Sequence, residues 1–335
     1  MAPKTRNEAA GRGFALVLSL VAITLLAVAA LELSREAKLA ASLAGNFRDR
    51  TSARMKALDG LSLAARALLD DDQSYDSLEE PWTGVSAGPG GKAENRENAI
   101  PAEVELTDLG GRLNLNLLVD QKGQANNLWV GVFRRLIDLL EHDPDLVQAL
   151  LDWLDPDNEP RSGGGEAREY GAKGSGFAPR NGPLLDIDEL GLVRGFNREV
   201  LEGNEEKPGL LELVAVHGGQ RINVNTAPPL LLQALDSGFR ETVAQAVVEL
   251  REERPIRKVN ELKGLVGIGP DLYRAVEPML DVKSGWFRVE SLGRSGTAGH
   301  RLRAVLRREK GRVSVAEARI MGSVKRTVPL EDEQG

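Results

Sequence analysis

The 335-residue chain has no cysteine, and aromatic residues make up only 4% of it. The first absence excludes disulfide staples, thiol nucleophiles and cysteine-ligated zinc, and leaves the redox compartment open. The second leaves little for a sugar-stacking cleft, so paired carboxylates have no glycosidase setting. Histidine is scarce as well. His142, His217 and His300 lie far apart without metal-ligand spacing, so each reads as an ordinary surface or polar core residue. No Ser/His/Asp set, Gly-x-x-x-x-Gly-Lys-Ser/Thr loop or His-Glu-x-x-His helix is present, so the chain reads as non-enzymatic. A net charge of −7 argues against a generic nucleic-acid binder. With 41% hydrophobic residues the chain can bury a sizeable core, in more than one folding unit.

What is present is concentrated at the start. A basic leader ending Gly11-Arg12-Gly13 meets an apolar run over residues 14–31, broken only by Ser19 and Thr24. As a helix this run spans roughly 27 Å, close to a bilayer core of about 30 Å. Lys4, Arg6 and Arg12 precede it against Glu8 alone, which favours a cytoplasmic leader and an extracytoplasmic bulk. A cleavable secretory signal has a similar basic start, but its apolar run is shorter and a small-residue cut site follows. Here no proline follows Glu32 until Pro81, and Leu39, Leu43, Phe47, Leu58, Leu61, Ala65 and Leu68 predict one continuing amphipathic helix.

This N-terminus resembles that of type IV pilins and pseudopilins. The resemblance implies cutting by a prepilin peptidase between Gly13 and Phe14, with the hydrophobic helix retained and its new N-terminus open to methylation. Most subunits of that kind carry Glu as the fifth residue after the cut; here it is Leu18. A carboxylate in the apolar layer costs about 2.5–3.5 kcal/mol unless paired, and in pilins the implied partner is a neighbour's N-terminal amine. The pseudopilin class that lacks this Glu is general secretion pathway protein K of type II secretion.

Further along, Asp70-Asp71-Asp72 and the Gly/Pro-rich stretch 81–91 predict an exposed connection. Residues 102–107 alternate at period two, and Gly110-Gly111 followed by a second alternating run over 112–117 predicts a hairpin. Helical segments such as 127–140 and 146–154 then dominate to about residue 278, and alternation returns around Trp286, Arg301 and Arg312. The predicted class is α+β: a long N-terminal helix and an antiparallel sheet interrupted by a helical insertion. The boundaries are a leader, 1–13; a transmembrane segment, 14–33; a periplasmic helix, 34–72; the first part of the sheet, 73–117; the insertion, 118–280; the remaining strands, 281–329; and a tail, 330–335.

The insertion carries further resemblance to the protein K family. Asp152-Trp153-Leu154-Asp155-Pro156-Asp157 is similar to its Asp-Trp-x-Asp-x-Asp segment. Gly164-Gly165-Glu166 and Tyr170 are similar to its Gly-Ala-Glu-Asp-x-x-Tyr segment, with Ala167 in place of the Asp. Residues 181–195 follow its Asn-x-Pro-Leu-x-x-x-x-Glu-Leu-x-x-Val-x-Gly pattern. By themselves, Asp155, Asp157, Glu159 and Glu166 gather hard oxygen ligands beside three consecutive glycines, at offsets resembling an EF-hand loop. Pro160 stands where that loop needs Gly, which leaves an irregular calcium loop or a solvated acidic turn. The resemblance implies calcium, with Asp155, Asp157 and Glu166 the leading ligands and Glu169 and Glu159 weaker ones.

The rest of the insertion offers a rival. Residues 221–228 and the Gly267-Ile268-Gly269 turn resemble helix-hairpin-helix modules, including the membrane-anchored DNA receptor of competence systems. Such a turn could present backbone N–H groups to a phosphate. Basic and acidic residues are matched over 221–278, which favours a turn that only packs two helices. The protein K resemblance implies SAM-like, helix-hairpin-helix-like parts without nucleic acid. It also implies a minor pseudopilin at the tip of the type II secretion pseudopilus, serving assembly and export. That protein would be single-pass in the inner membrane with its bulk in the periplasm, and its partners would be other minor pseudopilins.

Overall fold

A computed structural model of the chain describes residues 7–86, 102–172 and 177–325, with side chains from Phe14 to Gly322 within those spans. The predicted tail, 330–335, and the first six leader residues lie outside the described residues. Helix α1 (Asn7–Asp70) is unbroken over 64 residues, about 96 Å at 1.5 Å per residue. Its side chains from Phe14 to Ala44 are all exposed. From Ala53 onward one stripe is buried, Ala53, Ala57, Gly60, Ala64 and Leu68. It is a stripe of small residues that shares only Leu68 with the predicted apolar face, whose Leu39, Leu43, Phe47 and Leu58 are exposed and whose Leu61 and Ala65 are half-buried beside it.

That stripe lies on a four-stranded antiparallel sheet built from β1 (Ala102–Asp108), β6 (Trp286–Ser295), β7 (Ala298–Glu309) and β8 (Arg312–Lys325), in the order β1-β6-β7-β8. Phe287, Val289, Leu306, Val104 and Leu106 form its α1-facing side, with Trp82 edge-on to Phe287 at 5.5 Å. Because β1 pairs with β6 (Ala102 opposite Gly293, Asp108 opposite Phe287), everything between them is an insertion into one sheet.

Two expectations are corrected here. Residues 102–107 and 112–117 form no hairpin. Gly110 and Gly111 instead let the chain pass closely against Ser284 and Thr226, where side chains would collide. Beyond them β2 (Leu113–Asn114) is only two residues long and leads into a 3₁₀ turn, Leu115–Leu117, so 112–117 belongs to the insertion. The alternation there arises because Leu113 and Leu115 enter the core while Asn114 and Asn116 bond to backbone. The predicted connection after α1 is exposed only in part: Asp70, Asp72, Pro81 and Gly84 are exposed, residues 87–91 lie outside the described residues, and the rest is tied into the fold. Asp76 and Trp82 are buried, and Arg308, from β7, donates to Asp71, Asp76, Leu68 O and Ser284 O.

The insertion consists of two related units, a repeat that the composition hides. The first runs through β2, α2 (Asn127–Leu139), α3 (Asp145–Leu154), α4 (Ala167–Ala172), α5 (Arg198–Glu202) and β3 (Val214–Ala215). The second runs through β4 (Ile222–Asn223), α6 (Pro229–Leu235), α7 (Glu241–Glu253), α8 (Pro270–Val276) and β5 (Leu280–Asp281). Each closes with a short parallel ladder, β2 on β3 and β4 on β5. Asn116 clamps the backbone of Leu184 through its Oδ1 and Nδ2, and Asn225 clamps Ile256 in the same way. Glu189 caps a 3₁₀ turn and pairs with Arg180; Glu261 caps its counterpart and pairs with Arg254. Gly195 and Gly267 follow at φ of 87° and 91°, left-handed positions suited to glycine. The major difference is the loop between α3 and Leu184, which the second unit lacks.

Candidate functional site

Two regions carry the chemistry predicted from sequence. The first is the start of α1. Gly13 and Phe14 sit within the helix, and residues from Phe14 onward form a stretch apolar enough to cross a membrane, none of it buried. Leu18 is 61% exposed on that surface, and no carboxylate stands at its position. Leu39, Leu43 and Phe47 continue the exposed apolar stripe towards the sheet.

The second is the loop after α3. Helix α3 ends with Asp152 and Trp153 in its last turn and Asp155 as its C-cap. Asp152 organises the return of the chain: its Oδ2 accepts from Arg161 N at 3.0 Å and Gly165 N at 2.8 Å, and its Oδ1 from Arg161 Nη1 at 2.7 Å. A side chain at Gly164 would overlap that carboxylate, which explains the glycine there. Trp153, Tyr170 and Phe177 pack against one another beneath the loop, with Trp153 and Tyr170 centroids 5.8 Å apart. The Tyr170 hydroxyl accepts from Arg194 N at 2.8 Å, tying the loop to the Gly195 turn.

This framework brings Asp155, Asp157 and Glu166 together, with one oxygen of each within 4.8 Å of the others. Asp157 is exposed and accepts from Glu159 N at 2.8 Å. Asp155 and Glu166 are buried, yet Asp155 Oδ1 and both oxygens of Glu166 have no hydrogen-bond partner. Burial, helped by Asp152, Asp155 and Asp157, pushes the Glu166 carboxyl up to about 7, and burial also raises that of Asp155. Glu169 lies outside this trio, with its Oε2 accepting from Glu166 N at 3.0 Å, and Glu159 is exposed. Asp152, whose part was not foreseen, is the anchor.

Orphaned buried carboxylate oxygens fit a hard divalent cation, since each uncompensated one is costly without a partner. A second acidic cluster provides the contrast. Asp71, Asp76 and Glu80 also lie within 4.8 Å, but Arg308 reaches Asp71 and Asp76, and Glu80 accepts from Ser77 N and Trp82 Nε1. There an arginine occupies the place of a metal.

At the helix-hairpin-helix-like turn, Val266 is 90% exposed, and α8 begins with Pro270, which offers no N–H. Four cations of this unit are engaged: Arg254 with Glu261, Arg274 with Asp271, Arg251 with the carbonyls of Val224 and Ala227, and Lys263 over the Tyr273 ring at 4.6 Å.

The long helix, apolar enough at its start to cross a membrane and laid further on against a sheet that is split by a two-unit helical insertion, defines a pilin-like fold with an added domain. Family models described as type II secretion system (T2SS), protein K match residues 111–204 and 222–283, one to each unit. Type II secretion system protein K of Klebsiella pneumoniae is 27% identical over 331 residues, covering 92% of this chain and 96% of that one. The Dickeya chrysanthemi protein of the same description is 26% identical over 324 residues, covering 82% and 87%. In both units of the insertion, and along most of its length, the chain is similar to the type II secretion system protein K family. The crystal structure of the GspK-GspI-GspJ complex from enterotoxigenic Escherichia coli contains the same fold, with a TM-score of 0.63 at 22% identity over 80% of this chain and 96% of that one.

Proposed function

We propose that this chain is a minor pseudopilin at the tip of a type II secretion pseudopilus, needed for pseudopilus assembly and for protein export across the outer membrane. The observation that carries the reading is the insertion between β1 and β6, a bulky two-unit domain at the end of a pilin-type helix whose fifth residue after Gly13 is Leu18. A repeating filament wall has no room for such a domain, and Leu18 cannot pair with a neighbour's N-terminal amine. Both features suit an end position. The helix over 14–33 would rest in the inner membrane with the bulk in the periplasm, and leave the bilayer on assembly. Prepilin peptidase would remove residues 1–13, and Phe14 would be methylated. The partners would be other minor pseudopilins, by analogy with the Escherichia coli complex of GspK with GspI and GspJ.

Calcium would be held by Asp155, Asp157 and Glu166, which supply the several hard oxygens that ion takes, and would tie the end of α3 to the returning loop. The role is structural and no catalytic step is assigned. Deleting the gene in its host should leave type II substrates in the periplasm, with export restored by the intact chain. Undisturbed export together with lost DNA uptake would instead favour a helix-hairpin-helix competence receptor.

A further inference from the structure

The two acidic clusters found among the described residues are both counter-charged by arginine, but to different extents. Arg308 is 3% exposed at its side chain and lies within a network whose carboxylates are bonded. Arg161 is different. Its side chain is 29% exposed, at the rim, and a single nitrogen, Nη1, contacts both Asp152 and Asp155. It therefore covers one oxygen of Asp155 and leaves the other, with both of Glu166, uncompensated. The carboxylates of Asp155, Asp157 and Glu166 converge here with Asp152 beside them, and the Arg161 guanidinium contacts two of the four, Asp152 and Asp155; Arg194 donates instead to Gly164 O at 2.6 Å.

We propose that Arg161 is the resident counter-cation of this centre: it holds the loop closed without metal, and it lowers calcium affinity below what the carboxylates alone would give. The proposal rests on the calcium reading above and concerns a residue that would not itself ligate the ion. A cation taken up by the free oxygen of Asp155 would face the Arg161 charge across a single carboxylate. At that range like-charge repulsion outweighs any gain from a pre-set ligand geometry. The backbone supports an exchange of roles. The bond from Arg161 N to Asp152 Oδ2 does not involve the guanidinium, so a guanidinium turned to solvent would leave that anchor of the loop available.

The test is calorimetric titration of calcium chloride into the full-length chain in detergent, with thermal melts alongside and magnesium as control. Arg161→Met keeps the stem and removes the charge. It should bind calcium at least about tenfold more tightly than the wild type, melt lower without calcium, and gain more from calcium. Equal or weaker binding overturns the proposal and makes Arg161 a clamp that shapes the ligands. If Arg161→Met does not fold, Arg161→Lys decides. With the charge kept, its affinity should stay within about threefold of the wild type, whereas a clamp that needs the planar guanidinium predicts a loss of about tenfold or more. Binding by the Met variant alone would support the inference while refuting calcium as a native ligand. Binding by no variant refutes both.

Discussion

Gly293 of β6 stands directly against the Ala53 carbonyl of α1, and a Cβ built there would overlap that oxygen and lie 2.6 Å from Ala57 N. Further along α1, a Cβ at Gly60 would overlap side chains of the sheet instead, those of Ser291 and Val104. Small residues on both elements are thus the condition for the seating of α1 on the sheet: backbone meets backbone at Gly293, and strand side chains fill the space at Gly60. Gly293→Val should cost about 2–4 kcal/mol, read as a lower melting temperature, by forcing the helix off the strand. An unchanged melting temperature would mean that the helix is free to shift.

Processing is the next expectation. Gly13→Val puts a branched side chain at the scissile position and should leave the full leader on the protein, while the wild type should lose residues 1–13. Intact mass of the membrane-extracted protein checks both. A variant that still begins at Phe14 would refute cleavage by a prepilin peptidase.

Millimolar calcium should raise the melting temperature of the full-length chain, because an ion that binds only the folded state stabilises it. Asp157→Ala should reduce that gain, and Glu166→Gln should nearly abolish it, since Glu166 contributes two unpartnered buried oxygens. A melting temperature and heat unmoved by calcium would leave an acidic turn.

The junction of α1, the sheet and the insertion should respond to pH. Burial pushes the Asp76 carboxyl up to about 7 against the pull of Arg308, from the usual range near 4. Between those values the folded state keeps a proton that the unfolded state has released. This group's contribution therefore favours folding at low pH and is lost as pH rises towards 7. Asp76→Asn should flatten that part of the stability profile, measured by denaturant melts from pH 4 to 8. A slope identical to the wild type would contradict the assignment.

The parts legible in the sequence were those with a local period. The apolar run over 14–31, the unbroken continuation of the helix and the closing strands announce themselves through spacing, and Asp155, Asp157 and Glu166 through composition and family resemblance. The face of the helix that packs on the sheet did not, because it is made of Ala and Gly rather than large apolar residues. Contacts between distant residues were not legible: nothing near Asp71 or Asp76 points to Arg308, which neutralises them from β7. The false hairpin at 112–117 has a specific cause, since an asparagine bonded to backbone and one facing water look alike in a period-two pattern. The repeat did leave a trace. Arg112-Leu113-Asn114-Leu115-Asn116 and Arg221-Ile222-Asn223-Val224-Asn225 share a pattern, and its second asparagine clamps backbone in both units.

The most direct test of a tip role is the composition of the assembly. The full-length chain should be co-expressed with the other minor pseudopilins of its secretion system, extracted in detergent and weighed by native mass spectrometry. The expected result is a complex with one copy of this chain beside two other minor pseudopilins, weakened by Phe47→Asp on the exposed helix stripe. A chain that stays alone under these conditions, and binds duplex DNA with a steep salt dependence, would contradict the tip role and favour the competence receptor.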